Sequence, residues 1–146
     1  MYTFEKSIFT NRPPQEVFDF VTNPENHAQW QSATESAEWS SDGPPGVGST
    51  FEVVTKIMGR KIEAEVEITG WDPPNLYSFK SAAGPFPIAG TSRFEPKENG
   101  TQMTLQGQIN SAGFFKLAEG LVGKQAEKQD GNNCNALKLL LDAGQV

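Results

Sequence analysis

Few side chains in this sequence could carry out acid–base or nucleophilic chemistry. The single histidine, His27, precedes Trp30 by three residues on a short predicted helix, and the single cysteine, Cys134, shares a helical face with Leu137 and Leu141. Catalysis at neutral pH usually needs a tunable acid or base in a cleft. We expect His27 to be polar and at the surface, where it could still reach a pocket entrance, and Cys134 to be a small buried thiol. Nothing in the sequence places the two together as a nucleophile and its base.

The sequence does not indicate a metal or phosphate site. One His and one Cys, without HxH, HxxxH or CxxC spacing, cannot form a zinc site unless several carboxylates contribute. Glu63, Glu65 and Glu67 share one face of a predicted strand whose other face is apolar, so we expect them to face water. The glycines of residues 43–48 are followed by neither Lys-Ser nor Lys-Thr, and no helix begins after them. We therefore predict no cofactor and no metal.

Composition and charge exclude further classes of function. The chain has 146 residues and a formal net charge of −6, which argues against binding to nucleic acid because that needs a basic surface. It contains no run of 18 apolar residues and no signal-like N-terminus, so we expect no membrane span and a cytoplasmic protein. The lone cysteine fits a reducing compartment. We predict one domain, residues 1–146, that is a monomer or a homodimer.

Hydrophobic periodicity indicates the elements at the start of the chain. Residues 2–10 alternate as a half-buried strand does. After two prolines, residues 15–22 place apolar side chains on one face of a helix, and Asn23-Pro24 ends it. A second short helix, residues 24–31, has one large apolar side chain, Trp30. These two short helices carry His27 and must position it.

Strands and turns dominate the middle of the chain. The predicted strands are residues 32–39, 50–58, 62–68, 76–81, 88–95 and 101–109. Residues 62–68 show the clearest alternation between apolar and charged side chains, and Asn99-Gly100 predicts a short hairpin. An antiparallel meander of six or seven strands, each with one polar face, needs a large element to cover its apolar face.

The last segment, residues 112–142, is predicted to be that cover. Its apolar residues recur with the period of a helix at both ends, but its middle is polar. Gly131 in a helix interior costs about 1 kcal/mol relative to Ala, which is compatible with a kink or break there. The polar positions on this face could bond the polar end of a ligand, or could be exposed to water at a kink; they are Gln125, Gln129 and Asn132 or Asn133.

Five segments, in this order and spacing, resemble a known family over nearly the whole chain. They are NRPPQEVFDFVTNPENHAQW, GVGSTFEVV, ITGWDPPNLYSF, NGTQMTL and ALKLLLD. Together they resemble the START-like helix-grip superfamily, and within it the polyketide cyclase/dehydrase and lipid-transport (SRPBCC) group. The resemblance implies an α+β fold, in which a curved antiparallel sheet of six to seven strands grips one long C-terminal helix, with two short helices after the first strand.

The resemblance also implies an apolar cavity between the sheet and the long helix. Rigid rings cannot readily close down on a space that they fail to fill, and Met can adapt to a bound shape, so the residue types favour a pocket over a filled core. Phe86, in a Gly-Pro-Phe-Pro loop, could lie at its mouth. The implied ligand-binding residues are Trp30, Phe51, Val53, Val66, Phe79, Phe86, Phe94, Met103, Leu105, Phe114, Leu117, Leu121 and Gln125.

Three functions are compatible with these observations. The first is binding or transport of a small hydrophobic ligand, lipid-like or polyketide-like, without covalent chemistry. The second is a polyketide cyclase or dehydratase that uses the same cavity, with His27, Tyr77, Arg93 and the helix amides as candidate groups. Arg93 alternates with Phe94, so we expect it to point outward if Phe94 points inward. The third is an interaction module that works through an exposed apolar surface patch.

Overall fold

The structure, a computed structural model, describes residues 2–32, 34–57, 59–83, 88–109 and 119–143. Within these ranges, seven strands and three α-helices follow one another. The elements are β1 (Tyr2–Thr10), α1 (Pro14–Thr22), a 3-10 turn (Pro24–Asn26), α2 (His27–Trp30), β2 (Thr34–Trp39), β3 (Thr50–Ile57), β4 (Arg60–Asp72), β5 (Leu76–Ala83), β6 (Ile88–Lys97), β7 (Gly100–Ile109) and α3 (Glu119–Asp142). The predicted α+β class is confirmed.

All seven strands form one curved antiparallel sheet in the order β1-β7-β6-β5-β4-β3-β2. Strands β2 to β7 form the predicted meander, and β1 pairs with β7 from Tyr2↔Ile109 to Thr10↔Thr101. The alternation in β4 predicts the buried positions correctly, since Val66 and Ile68 are buried. Of the three glutamates expected to face water, Glu63 is exposed, and Glu65 and Glu67 are half-buried. A sheet of this kind has one apolar face to cover, and α1, α2 and α3 lie on that side.

The two short helices begin and end where the prolines and asparagines predict. Pro14 occupies the first turn of α1, where its missing N–H removes no hydrogen bond. Asn23 ends α1 in an extended conformation, and its side chain accepts a hydrogen bond from Glu25 N at 3.1 Å, which starts the next turn. The chain therefore reverses within a few residues, and α2 lies beside α3 and β2.

The C-terminal helix is continuous from Glu119 to Asp142, so the chain is not broken at Gly131. Its C-terminal half buries Cys134, Leu137 and Leu141, and this packing offsets the weak helix propensity of the polar middle. Within the described ranges, no helix is both long enough and apolar enough to cross a membrane.

Aromatic side chains fill the space between α1 and the sheet. The Phe18 ring is 1% exposed and contacts Trp71 and Phe94 edge-on, with centroid distances of 5.1 and 5.4 Å. Leu137 and Leu141 of α3 belong to the same core and are fully buried. This part of the interior is close-packed, as protein cores generally are.

Polar contacts fix the C-terminal end of α3 to the start of the chain. Asp142 Oδ1 accepts hydrogen bonds from Thr10 Oγ1 at 2.8 Å and from Asn11 N at 3.0 Å, and Oδ2 accepts from Lys138 Nζ at 2.9 Å. Desolvation opposes the effect, but these bonds together lower the pKa of the Asp142 carboxyl. The helix is therefore held in place against β1 by charge-assisted bonds as well as by packing.

Candidate functional site

A cavity of about 260 Å³ lies on the concave face of the sheet, beside α1 and α2. Its walls come from α1, α2, the segment after α2 and all seven strands, and they consist mainly of aromatic and aliphatic side chains. The described lining residues are Phe4, Val21, His27, Trp30, Gln31, Thr34, Phe51, Val53, Thr55, Val66, Tyr77, Phe79, Ile88, Ala89, Gly90, Ser92, Met103, Leu105, Gly107 and Gln108. A single concave space of this kind is the usual form of a small-molecule site.

The residues implied by the resemblance fall into three groups. Those that line the cavity are Trp30, Phe51, Val53, Val66, Phe79, Met103 and Leu105. Phe94 is not among the lining residues, because its ring packs against Phe18 in the filled part of the core. Phe86, Phe114 and Leu117 lie outside the described residues, and Leu121 and Gln125 belong to the part of α3 whose side chains are not described.

A pair of glycines gives the cavity part of its depth. Gly90 of β6 faces Gly107 of β7, and their other neighbours in the same cross-strand row are Phe79 and Phe4. A Cβ atom on Gly90 would lie 2.6 Å from Phe79 Cζ, and one on Gly107 would lie 2.3 Å from Phe4 Cζ. Both rings therefore lie over the glycines, in space that any other residue would occupy. Both glycines fall at inward-facing positions of alternating strands, which is the signal in the sequence that could have predicted this feature.

The expectation that His27 lies at the surface is wrong. The imidazole is 5% exposed, lines the cavity, and packs edge-on against Phe51 and Trp30 with centroid distances of 5.5 and 6.1 Å. Its helix α2 spans only His27–Trp30, so there was no periodicity from which its buried face could be inferred. The tight turn after α1 brings the ring under the sheet edge.

Burial makes His27 a neutral group. Desolvation lowers its pKa from 6.5 to about 4, although a hydrogen bond to the Val21 carbonyl works in the opposite direction. Nε2 lies 3.1 Å from Val21 O, so Nε2 carries the proton that is donated, and Nδ1 is left as an acceptor. At neutral pH the ring therefore contributes no positive charge to the cavity.

The described lining carries no charged side chain at all. It contains no Asp, Glu, Lys or Arg, and its polar members are His, Trp, Gln, Thr, Tyr and Ser. Two of them bond each other, since Thr34 Oγ1 donates to Gln31 Oε1 at 3.1 Å. The buried Trp30 Nε1 has no hydrogen-bond acceptor among the described residues. The electrostatics of the walls thus favour a ligand without net charge.

Tyr77 and Ser92 are a second pair of polar lining residues. They are directly opposite each other on β5 and β6, and their side chains are 3% and 2% exposed. Desolvation raises the pKa of the Tyr77 phenol far above its usual value, so it remains a hydrogen-bond donor. Tyr77 is one of the polar candidates predicted from the sequence, whereas Ser92 is not.

In the polar middle of α3, one buried side chain is described, and it forms a hydrogen bond with another segment of the protein. Asn133 is 6% exposed, and its Oδ1 accepts a hydrogen bond from Ser32 N at 3.1 Å. Asn132 is exposed. The buried amide therefore links α3 to the segment after α2. The two alternatives predicted for these residues were a bond to a ligand and exposure to water, and this contact is neither.

The remaining candidates lie away from the cavity. Arg93 is exposed on the convex face, as the alternation with Phe94 predicts, and Cys134 is a buried thiol, as expected. No group of three or more His, Cys, Asp or Glu residues in the described ranges could hold a metal ion. Neither Arg93 nor Cys134 lines the cavity, so neither side chain is positioned to contact a ligand there.

Comparison with known structures shows that this fold is shared over nearly the full length of other proteins. TTHA0849 from Thermus thermophilus is 23% identical, with 99% of each chain covered and a TM-score of 0.82. The Zhui aromatase/cyclase from a Streptomyces species is 16% identical, with 92% of this chain and 90% of that chain covered and a TM-score of 0.76. A START superfamily protein from Mycobacterium smegmatis is 12% identical, with coverages of 98% and 99% and a TM-score of 0.76.

Comparison with family models assigns the chain more narrowly than the fold does. The comparison with curated proteins finds no match. The model of one family, described as polyketide cyclase / dehydrase and lipid transport, matches residues 1–133. This match covers the sheet, the two short helices and most of α3. The chain therefore belongs to the polyketide cyclase/dehydrase and lipid-transport family, as its sequence motifs indicated.

Proposed function

We propose that this protein binds a small hydrophobic ligand in the concave cavity, between the sheet and the helices. The observation that carries the proposal is the cavity itself: about 260 Å³ of space inside a wall that is mostly aromatic and aliphatic. Membership in a family that combines polyketide cyclases and dehydrases with lipid transport supports the same function. The role of ligand contact falls to the lining residues, chief among them Trp30, Phe51 and Phe79.

The cavity volume indicates the size of the enclosed part of the ligand. An engineered apolar cavity of about 150 Å³ accommodates benzene, so about 260 Å³ accommodates roughly ten non-hydrogen atoms. This is the size of a bicyclic ring system or of a short acyl chain. A longer lipid would extend beyond the enclosed volume.

A pair of matched substitutions tests the proposal. Val53→Phe adds a ring to a lining residue, whereas Val47→Phe makes the same change at a position that is 70% exposed. We expect Val53→Phe to weaken the binding of an uncharged apolar dye such as N-phenyl-1-naphthylamine at least tenfold, and Val47→Phe to leave it unchanged. Native mass spectrometry of the purified protein would identify any ligand that is retained. Failure of the wild type both to retain a ligand and to bind the dye would overturn the proposal.

The second candidate function, a cyclase or dehydratase, is favoured by one observation. His27 lies in the cavity wall and not at the surface, and the same wall contains the Tyr77 phenol, which remains protonated, so an acceptor nitrogen and a donor hydroxyl are available to a bound polyketone. Loss of turnover in His27→Gln, with the affinity for a non-reactive ligand retained, would support this function. Equal turnover of a poly-β-ketone in wild type and variant would exclude a role for His27.

Two further proposals concern the setting in which the protein acts. A cytoplasmic location is supported by the presence of one cysteine in the sequence, Cys134, which has no second cysteine for an intramolecular disulfide. A partner other than a small molecule is not needed for the proposed function, and either a monomer or a homodimer is compatible with it. Size-exclusion chromatography with light scattering would distinguish the two oligomeric states.

A further inference from the structure

The hydroxyl groups of Tyr77 and Ser92 stand out among the polar groups of the cavity wall. Each side chain is at least 97% buried, and each lines the cavity. Buried hydroxyl groups are nearly always hydrogen-bonded, because leaving one without a partner costs the free energy of its lost hydration. No hydrogen bond of either hydroxyl is found within the part of the chain that the structure describes.

Other buried polar groups nearby differ from these two in their surroundings. His27 donates to Val21 O, and Thr34 donates to Gln31, so both already have partners. Trp30 Nε1 lacks an acceptor but is sealed off by neighbouring protein atoms, whereas the two hydroxyl oxygens are not. Among the described residues, the Tyr77 and Ser92 hydroxyls are thus the buried donors without a partner that a molecule in the cavity can reach.

The position of the pair in the sheet brings the two residues onto one wall. Tyr77 and Ser92 are directly opposite in the β5–β6 register, and Leu105 continues the row on β7. The next row toward the open end contains Gly90 and Gly107, covered by the rings of Phe79 and Phe4. A ligand ring that lies against Phe79 and Phe4 is therefore one cross-strand row away from the hydroxyls of Tyr77 and Ser92.

We propose that the cavity selects an uncharged aromatic ligand whose carbonyl oxygen accepts a hydrogen bond from Tyr77 Oη, with Ser92 Oγ as the second donor beside it. This inference rests on the proposed function and makes it more specific. The oxygen must be neutral, because the described walls offer no cation to a carboxylate and His27 is uncharged at neutral pH. A carbonyl group satisfies the phenol without bringing a charge into the cavity.

Three probes of nearly equal shape test two requirements separately: that the ligand has a carbonyl group and that it is uncharged. They are 2-acetylnaphthalene, which has a neutral carbonyl group; 2-isopropylnaphthalene, which has no acceptor; and 2-naphthoate, which is charged at pH 7. We expect the ketone to bind five- to tenfold more tightly than the hydrocarbon, as one net hydrogen bond gives. We expect the carboxylate to bind at least tenfold more weakly than the ketone. Isothermal titration calorimetry on the full chain measures all three.

Tyr77→Phe removes the hydroxyl and keeps the ring. In this variant, the affinity for the ketone should fall to that for the hydrocarbon. The affinity for the hydrocarbon should not change. The matched control is Ser78→Ala, which removes a hydroxyl from the next residue on the opposite face of β5, where Ser78 Oγ accepts from Thr69. This control should retain the preference for the ketone. Because Tyr77 Oη has no partner among the described residues, we expect the melting temperature of Tyr77→Phe to equal or exceed that of the wild type.

The possible outcomes separate the inference from the proposed function. If the wild type binds hydrocarbon and ketone equally, or if Tyr77→Phe retains the preference, the inference is overturned and the proposed function stands. Tighter binding of the carboxylate than of the ketone would overturn the requirement for a neutral ligand. If none of the three probes binds while the wild type still binds the uncharged dye, the inference fails and the proposed function stands; if the dye does not bind and no ligand is retained either, both fail.

Discussion

The concave face of the sheet has a filled end and an open end, which differ in side-chain volume more than in polarity. At the filled end, Ile8, Met103 and Phe94 form one cross-strand row, and Phe18 of α1 packs against it. The corresponding positions at the open end are Gly107, four residues after Met103 on β7, and Gly90, four residues before Phe94 on β6. Both ends obey the same alternation of inward and outward residues. The contrast teaches that a binding cavity can arise within an ordinary core pattern when two large residues are replaced by glycine.

Truncation of a ring should have a much larger effect at the filled end. Phe18→Ala removes a fully buried ring from a close-packed site, and we expect it to lower the free energy of unfolding by about 3–5 kcal/mol. Phe79→Ala removes a half-buried ring that borders the cavity, so its loss should be on the order of 1–2 kcal/mol. Urea denaturation of both variants measures the difference. Equal losses would show that the two ends are packed alike.

Acid should destabilise the protein through the buried histidine at the open end. The pKa of His27 is about 4 in the folded protein and 6.5 in the unfolded chain, so only the unfolded chain gains a proton between these values. Above pH 6.5 the ring contributes no pH dependence. Stability is lost as the pH falls from 6.5 toward 4, by on the order of 3 kcal/mol.

The variant His27→Gln isolates this effect, because glutamine can donate to Val21 O and does not titrate. Its free energy of unfolding should fall less between pH 6.5 and 4 than that of the wild type. Asp142 titrates in both proteins, so its contribution cancels in the comparison. A proton NMR titration of the one imidazole in the sequence gives a direct control. A folded-state midpoint near 6.5 would contradict the burial on which the prediction rests.

Filling the glycine row should convert the open end partly into a filled one. In Gly107→Ala, the new methyl group would meet the Phe4 ring at 2.3 Å, so the ring must move into the cavity. We expect a loss of about 1–3 kcal/mol in stability, as overpacked sites show, and weaker binding of apolar dyes. Thermal denaturation and dye titration measure the two effects. Unchanged dye binding would mean that the Phe4 ring can move without entering the cavity.

Gly131→Ala is the matched control on α3, and its effect should be the smallest and of opposite sign. A Cβ atom there would lie 3.7 Å from Lys6 Cε, an ordinary contact. Because Gly131 lies inside a continuous helix, alanine should raise the free energy of unfolding by up to about 1 kcal/mol. Dye binding should not change. Destabilisation of this variant would indicate that the helix needs the freedom of glycine at this position.

The sequence predicted the faces of the strands well, because each face follows from a local period of two. Val66, Met103 and Leu105 point inward as the alternation in their strands requires. Phe94 also points inward, but it belongs to the filled end. Alternation along one strand predicts the face of the sheet on which a side chain lies. Whether that side chain packs against α1 or lines the cavity depends on contacts between distant parts of the chain.

The parts of the site that sequence reasoning missed depend on such distant contacts. The row of Gly90 and Gly107 exists because β6 and β7 pair in one particular register, which neither strand pattern specifies alone. The burial of His27 results from a four-residue helix after a sharp turn. The bond from Ser32 to Asn133 joins residues that are 101 positions apart, so no local pattern contains it.

The two facing glycines also affect how the protein can change over generations. A glycine codon becomes an alanine or valine codon by a single base substitution, and each such change at Gly90 or Gly107 would add volume where two rings now lie. The filled end, which contains Phe18, Leu137 and Leu141, would keep its own contacts. Relatives with this architecture could therefore diverge in the size of the molecule they accept while the residues that stabilise the fold stay under separate selection.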